Sequence, residues 1–123
     1  MLGALLIFAT VAWLPTPPLE EPVMASPAKL LHHPERYDGH RVRVVGTLGP
    51  VKHRRCRFAI VGRRMTVSAL CETPPTCGEG TGIVVDGVFH RLVVVGGHRY
   101  YNHIVTTAVT CIEASEGVSE RRG

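Results

Sequence analysis

Apolar and polar residues alternate along much of the chain after residue 40, which is the pattern of strands with one buried face. The preceding stretch has a helical pattern instead. Ser26 and Pro27 are typical of the start of a helix, and Leu30 gives that helix an apolar side. Pro34 ends the helix within two turns, and residues 37–40 predict a turn that leads into the strands.

Five segments rich in Val, Ile and Thr make up the rest of the predicted fold, with Gly or Pro at most of the breaks between them. They span residues 41–48, 55–61, 64–70, 82–95 and 100–112. Gly87 interrupts the fourth segment and predicts a bulge or a barrel corner. A short helix and five strands in so small a chain predict an all-β fold, a closed five-stranded barrel, because closure removes exposed sheet edges.

The second and third segments form a predicted hairpin. A two-residue turn at Gly62 and Arg63 would place Phe58 opposite Val67. The apolar face of this hairpin then carries Cys56, Phe58, Ile60, Met65, Val67, Ala69 and Cys71. The polar face carries Arg57, Ala59, Arg64, Thr66 and Ser68. Such a division predicts one buried and one solvated face.

The N-terminus begins with an uncharged apolar run over residues 2–14. This run is too short to cross a bilayer, which takes about 20 residues, and it matches the apolar core of a secretory signal. Val23 and Ala25 are suited to signal-peptide cleavage after Ala25. A mis-assigned start codon, or a buried strand or helix, is the alternative interpretation, because no Lys or Arg precedes the run.

The predicted organisation is therefore a signal peptide over residues 1–25, a barrel domain over 26–112 and a flexible tail over 113–123. We expect the mature chain to be periplasmic or secreted and not an integral membrane protein. Cleavage would remove two of the ten acidic residues and no basic one, which raises the net charge from +4 to +6.

Composition limits the function classes. With 123 residues, the chain has room for one compact domain, and a hydrophobic fraction of 45% is too high for a disordered protein. The sequence contains no G-x-S-x-G, no H-E-x-x-H and no phosphate-binding glycine loop. We therefore expect a binding or interaction protein rather than an enzyme.

The four cysteines predict two disulfides, since an even count in a small exported chain is typical of a disulfide framework. One pairing joins Cys56 to Cys71 across the hairpin and Cys77 to Cys111. The other two connectivities remain open at this stage. A four-thiolate zinc site is the alternative, but the closest pair is separated by five residues, more than zinc ligands usually show.

Seven histidines are scattered along the chain. His98 and His103 come nearest to a ligand pair, but no acidic residue stands close to them in sequence. We expect them to be solvated surface residues, and we predict no metal and no cofactor.

Two stretches resemble exported OB-fold domains. The first is Leu30-Leu31-x-x-Pro34-x-x-Tyr37-x-Gly39-x-x-Val42-x-Val44-x-Gly46, similar to the entry segment of that group. The second is Gly80-x-Gly82-x-Val84-Val85-x-Gly87-Val88-Phe89 with Tyr100-Tyr101-Asn102-x-Ile104, similar to its fourth and fifth strands. The group includes nucleic-acid-binding domains of the tRNA-anticodon type and the barrel of the cytochrome c maturation haem chaperones. The resemblance covers residues 28–112 and implies an OB-like barrel.

The resemblance also implies where a ligand binds. OB domains bind strands across the outer face of their second and third strands, between the loops after strands one and four. We therefore expect a ligand-binding face made of Lys52, Arg54, Arg55, Arg57, Arg64, Tyr100 and Tyr101. Its charge suits phosphates, although the two tyrosines are the only stacking platforms for bases. The expected partner is nucleic acid or another polyanion, and a protein partner is the alternative; oligomeric state is not predicted.

Haem attachment is a further alternative that the resemblance implies. The haem chaperones bond haem through a His that follows the last strand, with a Tyr four residues later, and a Cys variant of that position exists. Cys111 stands at the corresponding place here, but Ser115 replaces the Tyr.

Overall fold

The computed structural model describes residues 20–112, so the predicted tail and most of the predicted signal lie outside the described residues. The elements in chain order are β1 (Val23–Met24), α1 (Pro27–His32), α2 (Pro34–Tyr37), β2 (Arg41–Lys52), β3 (Arg57–Val61), β4 (Thr66–Leu70), β5 (Gly82–Val95) and β6 (His98–Ile112). Within this range, no helix is long and apolar enough to span a membrane.

The five long strands close into a barrel. Their order is β2-β3-β4-β6-β5, and β5 pairs back with β2. The β4–β6 pairing is parallel, whereas the other four barrel pairings are antiparallel. This is the OB-like all-β barrel predicted from the sequence, and all five predicted strands are present with shifted ends.

The segment before the barrel contains two elements that the sequence pattern did not predict, the helix α2, which begins at Pro34, and the strand β1. Val23 and Met24 of β1 pair in parallel with β2, and the Ala25 amide donates to the carbonyl of Arg43 at 3.1 Å. Ala25 is 7% exposed and belongs to the core. Residues 23–25 are therefore attached to β2, while cleavage after Ala25 stays a prediction.

Two glycines allow the barrel to close. β2 pairs with β5 through Thr47 and with β3 from Thr47 onward, so it changes partners just after Gly46. A Cβ on Gly46 would lie 2.8 Å from both Ile60 Cγ2 and the Val61 carbonyl oxygen. At Gly87 the β5–β6 register shifts, which confirms the predicted bulge, and a Cβ there would overlap the Val105 carbonyl.

The core consists of the inward side chains of the barrel with Leu30 of α1 packed among them. Ser26 caps α1 as predicted, its hydroxyl accepting the Lys29 amide at 3.1 Å. The larger fully buried side chains are Phe58, Phe89, Leu30, Leu48, Ile60, Ile83 and Ile104. The predicted apolar face of the β3–β4 hairpin is confirmed by Phe58, Ile60, Val67 and Ala69, each at most 2% exposed.

The predicted register of that hairpin is wrong. Val61 pairs with Thr66 and Phe58 with Ala69, so residues 62–65 form a four-residue loop instead of a two-residue turn. The error is a shift of two residues, which keeps every side chain on its predicted face because side chains alternate with a period of two.

Both disulfides of the first predicted pairing are present: Cys56–Cys71 and Cys77–Cys111. In the observed register Cys56 lies directly opposite Cys71, and the Cys71 amide donates to the Cys56 carbonyl at 2.9 Å. The first disulfide therefore extends the β3–β4 ladder by one pair. The four-thiolate zinc site is not formed. Two disulfides in so small a chain are typical of folding in an oxidising compartment.

Candidate ligand-binding face

The β2–β3 loop, residues 53–56, is a tight turn held at its end by a disulfide. The Cys56 amide donates to the His53 carbonyl at 3.4 Å, and Cys56 has a φ of 32°. Residues other than glycine seldom adopt this left-handed conformation. The bond from Cys56 to Cys71 ties the strained residue to the end of β4, so the loop is attached to the barrel wall.

Four cations surround one cavity beside this loop. The cavity has a volume of about 220 Å³ and is lined by Lys52, Arg54, Arg55, Arg57 and Tyr100, the set that we call the basic face. The two ion pairs among residues 20–112, His40–Glu20 and Arg43–Asp86, involve none of these cations. The charge of the basic face is therefore available to an anionic ligand.

A second cavity continues the first toward the β5–β6 turn. Its volume is about 260 Å³, and its lining includes Arg55 and Tyr100 together with Leu70, Val95, Gly96 and His98. Because Arg55 and Tyr100 line both cavities, the β2–β3 loop and the β5–β6 turn lie side by side. This is the position at which OB folds bind oligonucleotides.

Tyr100 occupies the centre of this region. It is 8% exposed, with the Arg57 guanidinium carbon 5.6 Å from its ring centroid and the His103 ring 5.2 Å away. The interaction of a cation with the face of an aromatic ring is favourable by about 0.5–2 kcal/mol. Since Arg57 and His103 both pack against Tyr100, its ring is not an open platform for a base.

His103 is buried, at 8% exposed, and the expectation of a solvated surface histidine is wrong for it. Its Nδ1 lies 2.9 Å from the Tyr101 carbonyl oxygen, and its Nε2 has no hydrogen-bond partner. Burial lowers the pKa of His103; the Tyr101 contact opposes this shift, and the nearby charge of Arg57 adds to it. The imidazole is therefore held neutral with the proton assigned to Nδ1, which faces a carbonyl.

Two residues of the predicted face lie elsewhere. Arg64 lines a separate cavity of about 190 Å³ with Ser26, Pro27, Ala28 and Arg63. Tyr101 is 59% exposed and pairs with Leu92 in the β5–β6 ladder. The structure thus brings together Lys52, Arg54, Arg55, Arg57 and Tyr100, and it separates Arg64 and Tyr101 from them.

Other regions are less suited to an anionic ligand. A larger cavity, about 310 Å³, lies between residues 72–76 and β6, but its lining has no cation and includes Glu72. Among the residues that the structure describes, no group of three or more His, Cys, Asp and Glu could hold a metal ion. The sulfur of Cys111 is bonded to Cys77, so no thiol is available there for haem attachment while the disulfide is intact.

The predicted face lacked several residues that line the second cavity or pack against Tyr100, namely Leu70, Val95, Gly96, His98 and His103. Leu70 lies on the outward side of β4 by alternation, yet it is 8% exposed and lines the second cavity with Tyr100. Asn102, with a φ of 57°, interrupts the regular strand between Tyr100 and His103. An Asn inside a strand pattern was the one available indication of this irregularity.

Comparisons with known proteins agree with the fold. No protein-family profile matches the chain, and no curated protein matches it in sequence. A chain described as an aspartyl-tRNA synthetase of Leishmania major has a similar structure, with a TM-score of 0.56 and 8% identity, over 78% of this chain. An asparaginyl-tRNA synthetase of Pyrococcus horikoshii matches with a TM-score of 0.48 and 15% identity, over 76% of this chain.

This chain corresponds to 22% and 23% of the length of those two proteins. At such low identity the likeness concerns the fold alone. The likeness to the aspartyl-tRNA synthetase agrees with an OB-like barrel, and neither comparison supports the resemblance to haem chaperones.

Proposed function

We propose that this chain is a binding protein that holds single-stranded nucleic acid, or a similar linear polyanion, on the basic face. The observation that carries the proposal is the convergence of Lys52, Arg54, Arg55 and Arg57 on one cavity, at the OB binding position. The fold neighbour is by name an enzyme that acts with a tRNA, so nucleic acid is the first polyanion to test.

The chemistry of the basic face favours phosphate recognition over base recognition. Arginine presents a planar fork of donors that fits phosphate, and the cations lie outside the described ion pairs. Tyr100 is covered on its ring, so stacking contributes little. We therefore expect binding that depends strongly on salt and weakly on base sequence.

The proposal includes location and class of protein. Export to the periplasm or outside the cell is supported by the apolar N-terminal run and by the two disulfides. A binding role rather than catalysis is supported by the kind of site, a cluster of cations around an open cavity.

The test is a fluorescence-anisotropy titration of a labelled single-stranded oligonucleotide at several salt concentrations. We expect the logarithm of the binding constant to fall with the logarithm of salt, with a slope of about −0.7 for each phosphate neutralised. Arg55→Glu should weaken binding at least about tenfold, the effect of about 1.4 kcal/mol that one charge-assisted contact provides. Arg63→Glu is the matched control and should bind nearly as the unaltered chain does.

An alternative is a protein-interaction or structural module of the cell envelope. The covered ring of Tyr100 favours it, because a single-strand binder usually exposes aromatic platforms. Absence of oligonucleotide binding at low salt, or binding that Arg55→Glu and Arg63→Glu weaken equally, would favour this alternative.

A further inference from the structure

The β5–β6 hairpin extends beyond the barrel as a two-stranded ribbon. β5 pairs with β2 only as far as Val88, and β6 pairs with β4 only from His103 onward. Residues 91–102, which we call the arm, thus pair in the sheet only with each other. At its base, Phe89 exchanges hydrogen bonds with Gly39 and His40, and the Arg91 amide donates to Asp38 Oδ1.

The arm carries large apolar side chains that face solvent. Leu92 is 46% exposed, Val94 56%, Val95 52% and Tyr101 59%. Leu92 pairs directly with Tyr101, and Val94 follows Leu92 by two residues, so the three side chains lie on one face of the ribbon. Exposed apolar residues gathered on one element usually mark a surface that contacts something else.

The charged residues of the arm itself all have one sign. The arm has no Asp or Glu, and it carries Arg91 and Arg99. Its turn lies beside Arg55, because Val95, Gly96 and Arg55 line one cavity, and the rest of the basic face continues from there. One described carboxylate, Asp38, accepts the Arg91 amide at the base of the arm.

We propose that the arm docks on an anionic phospholipid bilayer. Leu92, Val94 and Tyr101 would enter the headgroup boundary, where apolar side chains bind by burial and tyrosine is favoured. Arg91, Arg99 and the adjoining Arg55 would contact lipid phosphates, whose negative charge attracts basic residues near the membrane surface. The apolar side chains of the ribbon complement the acyl-chain region of such a bilayer, and its positive charges complement the anionic headgroups.

This inference does not rest on the proposed nucleic-acid binding, and its test contains no nucleic acid. The full chain is prepared with Trp13→Phe, which removes its one tryptophan. A single tryptophan is then introduced by Leu92→Trp or, as the matched control, by Val45→Trp, since Val45 is 48% exposed on the barrel. Each protein is mixed with vesicles of phosphatidylcholine and phosphatidylglycerol that contain brominated lipid, which quenches tryptophan only on contact. Position-specific quenching separates docking by the arm from any association through the apolar N-terminus.

We expect quenching of about half of the emission at position 92 and less than about a tenth at position 45, as for a group a few ångströms into the interface. Adding Arg91→Glu and Arg99→Glu to Leu92→Trp should reduce the quenching at least twofold. Equal quenching at both positions, no quenching at position 92, or quenching that persists on neutral phosphatidylcholine vesicles would overturn the proposal. Sedimentation showing that Leu92→Ser with Val94→Ser converts a dimer to a monomer would also overturn it, in favour of a second copy as the partner.

Discussion

Each end of the β3–β4 hairpin carries two adjacent arginines, but only one pair belongs to a candidate binding site. Arg54 and Arg55 precede β3, line a cavity with Tyr100 and lie next to the Cys56–Cys71 disulfide. Arg63 and Arg64 occupy the loop at the other end, where their cavity is completed by Ser26, Pro27 and Ala28. The two ends have the same formal charge and different surroundings.

The difference shows that a count of charges does not locate a site. At the first end, the disulfide fixes the loop and the β5–β6 turn forms the facing wall, so several cations converge. At the second end, the loop packs on the start of α1, and no other cation joins the two arginines in the cavity lining. Convergence of donors on a concave surface distinguishes a binding site from a solvated charged loop.

The largest expected effects follow from removal of either disulfide, and only removal of the first should also weaken binding. Cys56→Ala with Cys71→Ala should lower the free energy of unfolding by about 3 kcal/mol and also weaken oligonucleotide binding, because the β2–β3 loop loses its anchor. Cys77→Ala with Cys111→Ala, which opens a longer loop, should lower stability by about 3–4 kcal/mol and leave binding unchanged. Urea unfolding and anisotropy measure the two effects, and equal loss of binding in both variants would contradict the comparison.

A smaller effect is expected from removal of the residues before α1. A chain that begins at Ser26 loses β1, the hydrogen bond from Ala25 to Arg43 and the burial of Ala25. We expect it to be less stable than a chain that begins at Glu20 by about 1–2 kcal/mol. Equal unfolding midpoints in urea would show that the segment contributes nothing, and oligonucleotide affinity should be the same for both chains.

His103, which packs against Tyr100, provides a pH-dependent test of the packing around that ring. Its pKa is lowered from 6.5 in the folded chain, so the unfolded chain binds its proton first as pH falls. The contribution of His103 to stability is thus complete above pH 6.5 and is lost as pH falls toward the lower folded pKa. Urea unfolding at pH 7.5 and pH 5 should show this loss in the unaltered chain and a smaller loss in His103→Gln; the same loss in both would contradict the assignment.

The smallest effect concerns the second arginine pair. Arg63→Ala with Arg64→Ala should change the free energy of unfolding by less than about 0.5 kcal/mol, because both side chains are exposed and make no described ion pair. The first pair, Arg54→Ala with Arg55→Ala, should be similarly neutral for stability. A large destabilisation by either pair, measured by thermal unfolding, would mean that these arginines have a structural role.

Much of the barrel could be predicted from the sequence because its signals are local. Alternation assigned the faces of Phe58 and Val67, and Gly87 indicated the bulge. The observed disulfide pairing was one of three connectivities that the sequence left open. The hairpin register could not be fixed in this way, because alternation determines a register only to within multiples of two. The hairpin has a four-residue loop, and this loop contacts α1 through the packing of Gly62 against Pro27.

The candidate site was predicted only in part for a similar reason. The cations of residues 52–57 are close in sequence, and the OB resemblance correctly placed them next to the β5–β6 turn. Tyr100 joins them and Tyr101 does not, and alternation did not show which of the two adjacent tyrosines would do so. The burial of Leu70 and His103, each 8% exposed, was not predicted from the alternating pattern.

The most direct test of the account is a map of amide chemical shifts as a single-stranded oligonucleotide is added to the chain. The account predicts that the largest changes occur at residues 52–57 and 96–100, which surround the two adjoining cavities. It predicts changes near zero at residues 62–65, where the second arginine pair lies. Changes centred on residues 62–65, or equal at both ends of the β3–β4 hairpin, would contradict it.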